Sequence, residues 1–253
     1  MKELSIEMVR FPQGEAARLI QAGAETPAGA ILAALEIFPP RGLVILNGGT
    51  AKLEPGLEMQ LARLIQDGLA RLAAEERLTL LTGGTQAGIF QLLGQGFARW
   101  GRTAPVIGVA VAGLCAWPGK PADKPDGEAP LEPHHSHFVL VKGQEWGDET
   151  QTMYDLAAEL SAGCPSIAVF AGGGEIARRE MEANLRQGRE MILLAGSGRS
   201  TDAVLQALDG QAGGDERAAA IAQQGKITPF PIDRPPHELG ELIRHKLFGR
   251  GKI

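Results

Sequence analysis

Residues Ser166 to Asp202, SIAVFAGGGEIARREMEANLRQGREMILLAGSGRSTD, constrain the fold more than any other stretch of the chain. An apolar run from Ser166 to Phe170 leads into Gly172-Gly173-Gly174. An amphipathic helical pattern follows, and a second apolar run, Met191 to Leu194, ends in Gly196-Ser197-Gly198-Arg199-Ser200-Thr201-Asp202. Unbroken apolar runs of this length suit strands buried on both faces, as in parallel sheets covered by helices. The stretch therefore predicts a βαβ unit with a glycine-rich turn at the end of each strand. In an open parallel sheet, ligands bind in the crevice outside the carboxyl ends of the strands, so Gly172 to Gly174 and Gly196 to Arg199 are expected to line one crevice.

The same grammar recurs upstream. Gly42 to Leu46 is an apolar strand that runs into Asn47-Gly48-Gly49-Thr50. Leu57, Leu61, Leu64, Ile65, Leu69 and Leu72 then follow the three-and-four spacing of a helix over Leu57 to Ala74. Leu78 to Leu81 is a second strand, ending in Thr82-Gly83-Gly84-Thr85-Gln86-Ala87-Gly88, and the helix after it turns Ile89, Leu92, Leu93 and Phe97 inward. Val106 to Val111 and Phe138 to Val141 read as further strands, and Glu149 to Leu160 as a helix. The class is α/β, a mostly parallel sheet with helices on both faces. Residues 1–40 read as an N-terminal extension packing on the core: an alternating segment from Leu4 to Phe11, a small helix around Glu15 to Ala22 and a piece of helical or mixed character from Ala28 to Phe38. Residues 41–253 read as one domain closed by a helical tail. Its last parts are helices at Thr201 to Leu208 and Asp215 to Gln224, a short edge segment at Ile227 to Pro231 and a helix at Glu238 to Leu247. Between Gly113 and Pro133 the periodicity gives way to Pro, Gly, Lys, Asp and Glu, a loop of a length that is usually either functional, as a lid would be, or disordered.

Composition narrows the function classes. With 44% apolar residues over 253, the chain can bury one sizeable core. A formal charge of -5 argues against a general nucleic-acid binder, whose affinity rests on clustered Lys and Arg. No apolar run approaches the ~20 residues of a membrane span, and no charged and then apolar leader opens the chain. A cytoplasmic protein with no membrane partner is expected, and a homo-oligomer is compatible with this reading. Cys115 and Cys164 lack metal-ligand spacing and read as buried free thiols.

Glycine turns admit positive φ and close backbone approach, and the helix that follows offers unpaired N–H groups with partial positive charge. Together they form an anion site; alone, a glycine pair also serves simply to make a tight turn. Neither GxxxxGK[ST] nor a GxGxxG after the first strand is present, which removes support for ATP hydrolysis and for ordinary nicotinamide chemistry. Arg199, at a helix entrance beside Ser200 and Thr201, suits bidentate phosphate recognition, the alternative being a cap or salt bridge to a neighbouring loop. Asp202 reads as a partner of the helix dipole. His134, His135 and His137 invite a metal reading, but no cysteine or further histidine completes a tetrahedral set, and no metal is expected. Entering a strand, His135 and His137 would share a face and His134 would point away. For acid/base chemistry the available carboxylates are Glu175, directly after the triple glycine, and Glu180, further along the same helix; Glu180 also reads as an ordinary solvated helix residue, and Glu175 as an N-terminal helix acid that would disfavour a phosphate at that loop.

The strings LLTGGTQAGI (Leu80 to Ile89), HSHFVLV (His135 to Val141), VFAGGGE (Val169 to Glu175) and GSGRSTD (Gly196 to Asp202) resemble the amino-terminal SLOG-type (LSDAT) domain of melastatin-type TRP channels, in its stand-alone prokaryotic form. Order and spacing agree over roughly Arg41 to Leu208. The resemblance implies a Rossmann-like, doubly wound sheet and a small-molecule nucleotide ligand rather than a bound cofactor, with ADP-ribose the leading candidate because some channel relatives bind it in this domain. Carried over by position, Gly83, Gly84, Thr85 and Gly88 match the first ligand loop, Gly172 and Gly173 the second, and Ser197, Gly198 and Arg199 the third. Gly48, Gly49 and Gly174 join them as candidates from their own turns. The helix Glu149 to Leu160 departs from the family in having no arginine. The wider superfamily includes enzymes that cleave the N-glycosidic bond of nucleoside monophosphates with a PGGxGTxxE loop. Here the comparable turn reads AGGGEIARRE, without the proline or the GT, which leaves a phosphoribohydrolase-like activity as the alternative.

Overall fold

A computed structural model describes residues 4–13, 16–49, 53–120, 128–211 and 213–249. In chain order the elements are β1 (Ile6–Arg10), β2 (Ala16–Ala22), α1 (Ala28–Ala34), β3 (Leu43–Gly48), α2 (Pro55–Arg63) continued by a π-helical turn (Leu64–Ala70) into α3 (Arg71–Glu76), β4 (Thr79–Thr82) and α4 (Gly88–Trp100). Next come β5 (Val106–Val111), the two-residue strands β6 (Cys115–Ala116) and β7 (Ala129–Pro130), β8 (His137–Val141), α5 (Thr150–Ser161), β9 (Ser166–Ala171) and α6 (Glu175–Arg186). The chain closes with β10 (Glu190–Ala195), α7 (Arg199–Leu208), α8 (Glu216–Gln224), β11 (Ile227–Pro231) and α9 (Pro236–Phe248).

Nine strands form the central sheet in the order β1-β2-β8-β5-β4-β3-β9-β10-β11. All neighbours are parallel except β1, which pairs antiparallel with β2. From β3 the chain steps outward through β4 and β5 to β8, then crosses back to β9 on the other side of β3. This reversal is the topological switch point of a doubly wound sheet, where a crevice opens between neighbouring strand ends. Gly48 is in register with Ala171 there, so the turns after β3 and β9 lie side by side.

Side chains alternate across the sheet because the strand period is two. Leu43 and Ile45 of β3 face one core with α1, α5, α6, α7 and α8. Val44 and Leu46 face the other with α2, α3, α4 and α9. A third cluster, including Val9, Leu19, Cys115, Leu131 and Phe138, lies under the β1–β2 end.

The helix expected around Glu15 to Ala22 is instead strand β2 over Ala16–Ala22, residue 15 being outside the described residues. AARLIQA has helix-forming composition, but pairing with β8 from Arg18↔His137 to Ala22↔Val141 buries Leu19 on one face and Ile20 and Ala22 on the other. Ladder formation with two-sided burial outweighs a propensity of tenths of a kcal/mol per residue. Residues of the N-terminal segment thus contribute two strands to the sheet. In the loop from Gly113 to Pro133, Lys120 and Glu128 form an ion pair at 2.8 Å; residues 121–127, on which a lid would depend, lie outside the described residues, as does Thr50.

Candidate functional site

A cleft of about 600 Å³ opens at the switch point. Gly48 and Gly49 line it from the end of β3, Gly83, Thr85, Ala87 and Phe90 from the β4–α4 turn, and Gly174 to Ala177 with Glu180 from the start of α6. Arg199 reaches it from the head of α7, while Ala129, Trp146 and Glu149 come from the loops beside β8. The four glycine turns singled out in the sequence therefore share one mouth.

Three helices, α4, α6 and α7, begin at this mouth behind Ala87, Gly174 and Gly198, and none has a side-chain cap. A helix N-terminus carries about half a positive charge, which favours anions; the Ile89 N–H of α4 already donates to the Gly49 carbonyl at 3.4 Å and the Ser200 and Thr201 N–H groups of α7 to the Gly173 and Gly172 carbonyls at 3.2 Å, so α6 offers the most open N–H groups of the three. Arg199 adds a full charge. It is exposed and left-handed at φ 53, a conformation uncommon for a side chain of this size.

Not every candidate faces the cleft. Ser197 is buried, and its hydroxyl accepts the Gly172 N–H at 2.8 Å and donates to the Leu194 carbonyl at 2.5 Å. Gly198 N–H donates to Asp202 at 2.8 Å, and the other Asp202 oxygen takes the Gly196 N–H at 2.9 Å. The Thr201 and Ser200 hydroxyls donate to the carbonyls of Gly172 and Gly174 at 2.7 and 3.0 Å. These bonds splint the second and third turns together. Gly172, Gly173, Gly84 and Gly88 serve the turn geometry: φ is 63, 84, 70 and 50 at these positions. A Cβ on Gly173 would stand 2.4 Å from that of Ala177, and one on Gly84 would stand 2.7 Å from the Gly108 Cα.

The histidines shape the first turn. Glu132, buried, accepts Nδ1 contacts from both His134 and His135 at 2.9 Å, and His135 Nε2 lies 2.7 Å from the Thr82 hydroxyl, which accepts the Gly84 N–H at 3.0 Å. The Glu132 N–H also donates to the Gly84 carbonyl at 2.9 Å. Burial opposes ionisation of Glu132, but the bonds from His135 and His134 hold its carboxyl below the usual range. The expected alternation is not found: β8 starts only at His137, so His134 and His135 obey no strand period and converge on one carboxylate. His137 turns to Ser136 at 2.8 Å, and burial with the nearby charges of Arg18 and Arg102 lowers its pKa to about 4. Among the described residues no group of three or more His, Cys, Asp or Glu is placed to hold a metal ion. Cys115 is buried, its thiol pushed up to about 12 by burial, whereas Cys164 is only half-buried; both are free.

The family model described as SLOG in TRPM, prokaryote, matches residues 41–240. The chain belongs to this SLOG family. Membership supports a nucleotide-related binding or processing role in general, and the matched span contains every residue that lines the cleft. A comparison with curated proteins gives no match. Among the described residues of this SLOG domain, no helix is long and apolar enough to cross a membrane.

The two carboxylates named from the SLOG sequence behave oppositely. Glu175 pairs with Arg217 and, at 3.5 Å, with Arg179, and the Arg217 bond keeps its carboxyl below the usual range. Glu180 is 9% exposed and makes no side-chain hydrogen bond or ion pair with any described residue. Burial, and then the nearby charge of Glu149, raise its pKa to about 8, so it carries a proton at neutral pH. Glu149 lines the same cleft; burial pushes it up as well, and the Gly147 N–H donates to it at 2.7 Å.

Below them, Asn184 Nδ2 donates to the Tyr154 hydroxyl at 2.8 Å. The Asn47 side chain lies beside that hydroxyl, yet neither its Nδ2 nor its Oδ1 makes a hydrogen bond of good geometry. Glu149 and the half-exposed Trp146, which line the cleft, and Asn47, buried just before Gly48, are features that the pattern of strands and glycines does not reveal. For Trp146 a signal exists: it is one of three tryptophans and sits in a polar turn, GQEWGD.

A second depression, of about 560 Å³, lies at the amino ends of β9 and β10 around Arg189. That guanidinium already donates to Ser166, Asn184, Gln187 and Ser161. It ties helix ends together there.

Proposed function

We propose that this SLOG domain is a binding module for a nucleotide diphosphate of the ADP-ribose type. The observation that carries the reading is the convergence of the open N-terminus of α6, the positive ends of α4 and α7, and Arg199 on one cleft at the switch point. A diphosphate held against these N–H groups and the guanidinium makes charge-assisted hydrogen bonds. Trp146, 40% exposed at the mouth, offers an aromatic face for a base. A volume of about 600 Å³ is of the size that small-molecule and cofactor sites use. Calorimetric titration with ADP-ribose tests the reading: binding is expected in wild type and should weaken by about 1–3 kcal/mol in Arg199→Ala, the scale of a lost charged hydrogen bond. Equal affinity in the two proteins removes Arg199 from the site, and absence of binding removes the ligand class.

The unpartnered, protonated Glu180 beside Glu149 favours one second reading, hydrolysis of a nucleotide N-glycosidic bond. Water would attack the anomeric carbon as its proton passes to Glu149, and Glu180 would donate a proton to the departing base as the C–N bond breaks. Chromatography of AMP, NAD and ADP-ribose after long incubation decides between the readings. Free base that appears with wild type and not with Glu180→Gln establishes the enzyme; intact nucleotides leave the binding module.

A further inference from the structure

Glu180 presents an anomaly that nucleotide binding as such does not require. The residue is nine-tenths buried, and its carboxyl has no hydrogen-bonding partner among the described residues, an arrangement that costs stability. It does not sit among apolar side chains by accident of packing, because it lines the cleft. Its place on α6 explains how it gets there. Gly174, Ala177 and Glu180 recur every third residue on the cleft side of the helix, and Ala177 is small enough to leave Glu180 open to the space above. Helical side chains lean toward the N-terminus. The six-residue rise from Gly174, about 9 Å along the axis, is therefore shortened at the carboxyl to roughly the span of one sugar ring.

Among the described residues no arginine or lysine meets this carboxyl. The charged and titratable groups around it are Glu149 from the turn before α5, Tyr154 from α5 with Asn184 behind it, and, at the rim, Arg199 and Glu175, whose carboxylate is ion-paired with Arg217 and Arg179. A phosphate is therefore unsuited to the floor, while the rim of helix N-termini suits it. What complements an uncharged carboxyl is a group that both accepts and donates a hydrogen bond, and a sugar hydroxyl does both. Resting on the nucleotide reading above, we propose that Glu180 with Glu149 forms a floor that reads the hydroxyls of a pentose attached directly to the phosphate held at the head of α6. This fixes the ligand's orientation: phosphate at the Gly174 rim, pentose over Glu180, base outward toward Trp146 or beyond the cleft. It also names the preferred class, a phosphopentose with free hydroxyls.

The test is a set of calorimetric titrations of wild type, Glu180→Gln and Glu180→Leu with ADP-ribose, with the analogue in which the terminal pentose lacks its 2-hydroxyl, with 2′-deoxyadenosine diphosphate ribose, and with the hypoxanthine analogue. For wild type, removal of the hydroxyl from whichever pentose occupies the floor is expected to weaken binding about tenfold, the scale of one well-formed hydrogen bond to a buried group. Glutamine keeps a donor and an acceptor and should retain most of that discrimination. Leucine should bind parent and deoxy compounds within about twofold of each other. Discrimination that survives in Glu180→Leu, or wild-type indifference to both missing hydroxyls, overturns the proposal while leaving the nucleotide reading intact. Sensitivity to Glu180 that appears only for adenine against hypoxanthine places a base edge on the floor and also overturns it. No binding of any compound by folded wild type ends the nucleotide reading and this proposal together. Circular dichroism of the variants at the titration temperature confirms that each comparison is between folded proteins.

Discussion

Substituting Glu180 by glutamine should make the protein more stable, and by an amount that grows with pH. The carboxyl has an ordinary value of 4.5 and is raised to about 8 in the folded protein. Below the unfolded value both states hold the proton, and the group contributes nothing to the pH dependence. Between the two values the unfolded chain releases it and the folded chain does not, so wild-type stability falls as pH rises. One pKa unit corresponds to about 1.4 kcal/mol, which makes the accumulated loss about 3 kcal/mol near pH 7 and somewhat larger near pH 8. Glutamine has nearly the same shape and never ionises, and no side-chain hydrogen bond is lost by the change because the carboxyl makes none. Urea denaturation of both proteins at half-unit steps from about pH 4.5 to pH 8 gives the difference directly. The expected curve starts near zero and climbs to about 3 kcal/mol in favour of glutamine by pH 7. A difference that is flat with pH, or glutamine the less stable at pH 7, refutes the reasoning, because it means that the native carboxylate has a partner or is hydrated.

Three further outcomes follow from the same geometry. Gly173→Ala should lower stability by about 2–4 kcal/mol in thermal or urea denaturation, since alanine would have to adopt φ 84 with its Cβ 2.4 Å from that of Ala177. Trp146→Ala should weaken ADP-ribose binding by about 1–3 kcal/mol in calorimetry with little change in melting temperature, because the ring is 40% exposed. Asn47→Leu, a near-isosteric change at a fully buried position whose amide atoms are unpaired, should be neutral or mildly stabilising by urea denaturation; a loss beyond about 2 kcal/mol would show that the amide is satisfied by an internal water.

The sequence made the sheet legible because a strand buried on both faces has few other interpretations. Val106 to Val111, Ser166 to Phe170 and Met191 to Leu194 all fall inside observed strands. Residues 16–22 were misleading because their composition favours helix while their partner, β8, lies more than a hundred positions away. The glycines marked where the chain turns at the carboxyl edge. They could not separate those facing the ligand space, such as Gly49 and Gly174, from those, such as Gly84 and Gly173, whose missing Cβ makes room for neighbouring backbone or side chain. Ser197 illustrates the same limit: a hydroxyl in a glycine turn suits a ligand, and here it bonds Gly172 and Leu194 instead. The histidines were hard for another reason. Their role depends on Glu132, which looks unremarkable in sequence and becomes their shared partner only when residues 129–132 fold across the Gly83-Gly84 turn.

The location of uncompensated energetic cost identifies the site better than the motifs do. Elsewhere the buried polar groups are answered, Glu132 by two histidines and Arg189 by hydroxyls and amides, and the part-buried Arg178 has a bidentate pair with Asp215 at 2.6 and 3.0 Å. Among the described residues, four buried side-chain atoms lack a hydrogen bond. Two belong to Asn47, which precedes Gly48 of the cleft, and one to Thr150, which follows Glu149; the fourth, on Glu238, is ion-paired with Arg234. The unpartnered Glu180 and the left-handed Arg199 stand in the same cleft. A chain that satisfies its polar groups so fully elsewhere carries this concentrated cost where a ligand can relieve it. The consequence is quantitative: at one fixed ligand concentration, a ligand that bonds Glu180 and Arg199 should raise the melting temperature of wild type more than that of Glu180→Leu, because relief of the buried carboxyl's penalty enters as a tighter Kd, whereas at concentrations giving both proteins the same ratio of ligand to Kd the stabilisation should be equal.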